Sequence, residues 1–228
     1  MTIISSKHIE YIIRRSSAIL LAGVWFGILL ALILVPCMFL DRCYDPQAFS
    51  WWAWFIQIVF FGGYMLLVLY HPLLWIWNLL MLPVAFTIAW VVVVGASILV
   101  SYNPELLLDQ IEDDETPAIV ILNGHMVIHF LPLIMILCFM WAYKDDRYAS
   151  RFALPRKSHF MFWCLHILLV LMIGAAYVGD NDYRIVYPSD APAEIMYGAC
   201  IGTAVLALSF YYTFAGPKVV LLLPSTSP

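Results

Sequence analysis

The sequence predicts an all-α, polytopic membrane bundle of about six transmembrane helices, with both termini in the cytosol. Three observations carry that prediction. Of 228 residues, 64% are hydrophobic and 11% are charged, with a mean hydropathy of +0.91; a water-soluble domain carries roughly 25% charged residues to keep its surface solvated. The charges fall in short clusters between apolar runs of about 20 residues or more, the length a helix needs to cross roughly 30 Å of hydrocarbon. The runs are continuous rather than alternating, which selects helices over the strands of a closed barrel.

Taken in order, the spans fall at 16–40, 51–70, 73–102, 118–142, 159–179 and 195–217. The first 15 residues are polar, and the run that follows is too long for the apolar core of a cleavable signal, so it reads as an uncleaved first span. His71-Pro72 marks a tight turn between the second and third spans. The third span contains Pro83, which predicts a tilted or kinked helix, and it stops at Asn103-Pro104. Trp51, Trp52, Trp54, Trp75 and Trp77 gather near span ends, where amphipathic rings act as headgroup-level anchors. Gly23/Gly27 in the first span and Gly198/Gly202 in the sixth form G-x-x-x-G pairs. These are expected to pack helices closely within the bundle, with a dimerisation face as the alternative. No repeat, linker or low-complexity stretch divides the chain, so residues 1–228 form one domain.

Charge sets the orientation. Six crossings place Lys7, Arg14, Arg15, Lys144, Arg147, Arg151, Arg156, Lys157 and Lys218 on one side and Arg42 and Arg184 on the other, nine against two. The positive-inside rule puts the first side in the cytosol or its organellar equivalent. The opposite side carries Glu105, Asp109, Glu112, Asp113, Asp114 and Glu115. This reads as a solvated loop, since it lacks the spacing of a calcium loop. The five cysteines make no framework; Cys37 and Cys43 alone are close enough in sequence to suggest a bridge, and free thiols are the expected state. Nothing in the composition points to nucleic acid. The endoplasmic reticulum, the plasma membrane and the mitochondrial inner membrane all suit such a chain.

Inside a membrane the informative residues are the polar ones, because each needs a partner or a purpose. Ser50 and Gln57 lie seven apart in the second span and share a helix face; Asn123, His125 and His129 precede Pro132 in the fourth, with the two histidines on one face. Both spans begin on the acidic side, with His125 and His129 roughly 10 and 16 Å into theirs. A hydroxyl and an imidazole in the outer half of the bundle are the minimum for a nucleophile with a general base. Blander readings stand beside this: Ser50 as a helix N-cap, Gln57 and Asn123 as interhelical hydrogen bonds, and the histidines as structural groups.

The stretch Ser50-x6-Gln57-x-Val-Phe-Phe-Gly62 resembles a signature of the androgen-induced (FAR-17a-like) membrane protein family. Its members have six spans, and some hydrolyse fatty acid esters of hydroxy fatty acids. Further pieces resemble the family in order: Leu82-Pro83-Val84, Pro104-Glu-Leu-Leu107, Leu122-Asn123 with Pro132, Leu154-Pro-Arg-Lys-Ser158 and Val186-Tyr187-Pro188. Together they run from about Ser50 to Gly216. Ser50 stands where the family has a Thr nucleophile, which keeps the hydroxyl. Animal members carry their catalytic His four residues after the Asn, where this chain has Val127; His125 and His129 straddle that position. More distant members carry His-x-x-Pro, which His129-x-x-Pro132 fits.

The resemblance implies an intramembrane Ser–His hydrolase of a lipid ester: Ser50 as nucleophile, His129 as base with His125 as its alternate, Gln57 or Asn123 as oxyanion donor, and a groove for an acyl chain. It needs no metal or cofactor. Two other readings remain open. One is a non-catalytic accessory or scaffold subunit with protein partners in a larger membrane assembly, a mitochondrial one included. The other is a haem b protein ligated by His129 and His166. No span carries a buried Asp, Glu, Lys or Arg of the kind that marks an ion path, which weighs against a channel or transporter.

Overall fold

A computed structural model describes residues 6–39, 49–69, 71–102, 118–143, 156–180 and 193–215. Within them lie six α-helices: α1 (Ser6–Phe39), α2 (Phe49–Leu67), α3 (His71–Tyr102), α4 (Ala118–Tyr143), α5 (Arg156–Asp180) and α6 (Ala193–Phe210). A π-helical turn, Tyr211–Ala215, extends α6. The chain is a multi-pass α-helical membrane protein. Among the described residues, four helices are long and apolar enough to span a bilayer, within α2, α3, α4 and α6. Shorter apolar stretches lie at Arg15–Ala31 in α1 and Phe160–Ala176 in α5.

The expected boundaries hold to within a few residues except at the N-terminus, where α1 begins at Ser6, ten residues before the apolar run. His71-Pro72 does not form the turn. The turn falls at Val68-Leu69 and His71 opens α3, placing proline in the first helical turn, where its missing N–H has no helical partner to lose. Helix α3 then runs unbroken through Pro83. The loop holding the acidic cluster, and the Cys37/Cys43 pairing, lie outside what is described.

Helix α3 is the central element, packing against α2, α4, α5 and α6, while α1 covers α2 and α4. The residue distribution is that of a lipid-embedded bundle. Leu66, Leu69, Trp141 and Leu206 are strongly exposed on the outside, while Ser50, Gln57, Asn78, Thr87 and His166 are buried inside. Such an apolar exterior is a liability in water and a requirement in lipid. At one end, Arg15 Nη2 reaches the Val68 carbonyl at 3.4 Å, placing a cation at the negative end of the α2 dipole.

The α2–α4 seam positions the site. Buried residues of α2 recur as Ser50, Ala53, Trp54, Gln57, Phe60, Phe61 and Tyr64, the 3–4 spacing of a single helix face. Toward the C-terminal end of α2, Phe60, Phe61 and Tyr64 meet the Phe139 ring edge-to-face, with centroids 5.3, 5.6 and 4.9 Å away. Each such pair contributes about 0.5–1.5 kcal/mol beyond burial.

Close helix approach comes from glycines other than the G-x-x-x-G pairs. Added Cβ atoms at Gly27, Gly198 and Gly202 would meet nothing within 4 Å, and only Gly23 of the four faces a neighbour, Met65. The expectation that these pairs pack the bundle is therefore corrected. A Cβ on Gly63 would instead fall into the Trp77 indole, and one on Gly62 would lie 3.0 Å from Phe26. Trp77 lies across the α2 backbone and donates Nε1–H to the Phe60 carbonyl at 3.0 Å. Trp54 is likewise buried, 2% exposed. Neither serves as the headgroup anchor expected of it; each indole N–H bonds to a neighbouring helix.

Candidate functional site

Pro132 lacks the N–H that would bond to the Ile128 carbonyl, so one turn of α4 is left with a free acceptor. Trp54 Nε1 of α2 donates to that carbonyl at 2.9 Å. One turn further in, Gln57 Nε2 donates to the Pro132 carbonyl at 2.7 Å. These two bonds run in the same direction along both chains, so α2 and α4 lie parallel in a fixed register. Ser50, one turn before Trp54, therefore stands about 6–7.5 Å in depth from His129, a little more than one helical turn.

Both residues line one cavity of about 420 Å³. Its long wall is a stripe of α3: Ile88, Val91, Val92, Gly95, Ala96 and Leu99. Residues of α5 from Val170 to Ala175 and of α6 from Met196 to Ala204 form the sides, with Phe49 beside Ser50. Ser50 is 5% exposed, and His129 is half-buried with its Nδ1 shielded from solvent. What links the hydroxyl and the imidazole is this shared wall. Ser50 is the second residue of α2, one step inside the helix rather than at its N-cap. It sits where the macrodipole is positive and favours developing negative charge.

The remaining sequence candidates fall elsewhere. Gln57 is fully buried on the α2–α4 seam and is not part of the cavity wall. Its amide holds the bundle together, the interhelical reading rather than the oxyanion one. The side chains of Asn123 and His125 lie outside the described residues. His166 is fully buried in α5. Its Nε2 lies 3.0 Å from the Leu80 carbonyl, in the turn that Pro83 interrupts, and donates to it. Its Nδ1 lies 2.6 Å from the Phe162 carbonyl and 2.6 Å from the Tyr212 hydroxyl. With Nε2 protonated, Nδ1 accepts from Tyr212; with both nitrogens protonated, it donates. Both nitrogens lie against protein partners, which haem ligation would have to displace. His166 does not line the cavity that holds His129, so the His129–His166 haem pairing gains no support from this geometry. Among the described residues, no group of three or more His, Cys, Asp or Glu could hold a metal ion.

Sequence reasoning missed Trp54, Tyr212 and the cavity's third wall, where Cys200 stands. A signal existed for Trp54: an indole four residues after Ser50, opposite a proline helix with a free carbonyl to satisfy. No protein-family model, curated protein or solved structure matches the chain.

Proposed function

We propose that this chain is an intramembrane hydrolase of lipid esters, a divergent relative of the androgen-induced membrane proteins, with Ser50 as nucleophile and His129 as general base. The observation that carries the reading is that these two side chains, from helices locked in parallel register, open onto one apolar cavity. Six crossings with cytosolic termini, supported by the nine-to-two division of basic residues, place Ser50 at the outer end of its span.

The chemistry follows from the residue types. Ser50 Oγ attacks the ester carbonyl while the imidazole takes its proton; the same imidazole then protonates the departing alkoxide. A water, activated in turn by His129, releases the acyl group as the free acid. The positive end of α2 lies beside the oxyanion as it forms. The acyl chain lies along the α3 stripe, where each buried methylene contributes about 0.8 kcal/mol. A hydroxyl in a largely apolar pocket suits an ester dissolved in the membrane better than a charged substrate, whose transfer into that wall is costly.

The test is turnover of a fluorogenic long-chain ester by the purified protein in detergent or nanodiscs, with labelling by an alkyl fluorophosphonate. The expected result is hydrolysis and labelling, both lost in Ser50→Ala. An inactive, unlabelled parent, or a Ser50→Ala variant that still turns over, overturns the proposal.

A further inference from the structure

We infer that the cavity is loaded sideways from the bilayer, through a gap between α5 and α6, and that what enters is a straight acyl chain. This goes beyond the hydrolase reading and stands on the cavity, not on turnover.

The wall of the cavity grades into the outer surface of the bundle. On α5, Val170 is 6% exposed and its neighbour Leu171 is 40% exposed, and both line the cavity. On α6, Met196 is 9% exposed and Ala204 5%, whereas Ile201 between them is 49% exposed. Ala175 is likewise both lining and exposed. The side chains that reach the surface thus come from the two helices flanking one seam. Within that seam, a Cβ on Gly174 would meet nothing within 4 Å. Among the described residues that line the cavity none is charged, which suits an opening toward hydrocarbon.

The shape selects the occupant. The α3 stripe from Ile88 to Leu99 runs about 16 Å along the helix axis. The small residues Gly95, Ala96, Gly174, Ala175 and Ala204 line the cavity beside it, and about 420 Å³ spread along that length suits a slot one chain wide. A single extended acyl chain fits such a slot, while a fused-ring body needs breadth. The same seam carries its own reporter. Cys200 lines the slot, and a Cβ on Gly95 across from it would lie 3.9 Å from the thiol sulfur.

The experiment uses the full chain in vesicles with Cys37, Cys43, Cys138 and Cys164 changed to Ser, leaving Cys200 as the one thiol. The probes are a maleimide carrying a dodecyl chain and a charged, membrane-impermeant methanethiosulfonate. The dodecyl reagent is expected to modify Cys200 and to be slowed by dodecanoate. Leu171→Trp and Ile201→Trp, each at the rim, are expected to slow it by at least about tenfold. Leu206→Trp, on the exposed face of α6 away from the cavity, leaves the rate unchanged. Labelling by the charged reagent at an equal rate, or rim variants that react as fast as the parent, overturns the portal. Ser50→Ala is carried in parallel. Its labelling is expected to match the parent's, so an inactive enzyme and a closed seam give different results.

Discussion

Trp54 supplies the proton that Pro132 withholds: the indole N–H of α2 lies 2.9 Å from the Ile128 carbonyl, the acceptor freed when proline replaces an amide donor in α4. The bond ties the helix carrying Ser50 to the turn carrying His129. Trp54→Phe keeps the ring but leaves the carbonyl buried without that donor, at an expected cost of about 1–2 kcal/mol. Pro132→Ala restores the helical N–H to the same carbonyl. The Trp54→Phe penalty is therefore expected to shrink by about 0.5 kcal/mol or more when both changes are combined. A double-mutant cycle on thermal unfolding in detergent measures this; strict additivity shows that the two residues act independently.

Gly63 and Gly198 make opposite demands. Gly63→Ala drives a methyl group into the Trp77 indole and disturbs the bond from that indole to the Phe60 carbonyl. The expected loss is about 1–3 kcal/mol, the usual cost of overpacking. Gly198→Ala and Gly202→Ala point into open space and are expected to shift stability by less than about 0.5 kcal/mol. Comparing the three melting temperatures checks this directly.

That contrast shows what could be read from the chain and what could not. Apolar run length located five of the helices to within a few residues, because the bilayer fixes how long a span must be. It missed the start of α1, where residues 6–15 continue the helix with Lys7, Glu10, Arg14 and Arg15 interrupting the apolar run. Helical periodicity put Ser50 and Gln57 on one face, and it did not reveal that Ser50 opens on a cavity while Gln57 closes on the Pro132 carbonyl. Which glycine is crowded, and whether an indole anchors at a headgroup or bonds across a seam, depends on the neighbouring helix. Gly63 meets Trp77 because α3 folds back along α2 after the turn at Val68-Leu69, a relation that local spacing does not encode. His166 is similar: its partners are Leu80 and Tyr212, 86 and 46 residues away.

His166 and Tyr212 give a third prediction. Tyr212→Phe removes the hydroxyl beside Nδ1 and is expected to cost about 1 kcal/mol. His166→Ala also strips the donor from the Leu80 carbonyl next to the Pro83 turn and is expected to cost about 2–4 kcal/mol. Neither side chain lines the cavity, so Tyr212→Phe should leave the KM for an ester substrate within about twofold, a shift under half a kcal/mol. A large KM change with intact stability would show instead that this network shapes the substrate site.

The catalytic pair is tested most sharply by substitutions that separate its parts. Ser50→Ala removes the nucleophile, and His129→Gln removes the base while keeping a polar side chain. Each is expected to lower kcat by at least about a thousandfold, and the double variant by little more than either alone, since the two groups act as a unit. Ser50→Thr keeps the hydroxyl and is expected to retain activity. Gly95 probes the acyl slot independently. A methyl group there makes ordinary contact with Cys200 and Met196, so Gly95→Ala is expected to be near neutral. Gly95→Leu projects into the slot and should raise KM for long-chain esters while sparing short ones, since a tail that stops before the block loses none of its burial. Comparing kcat/KM across a series of ester chain lengths in the parent and both Gly95 variants measures the effect. A uniform loss at every length would mean that the chain does not lie along α3.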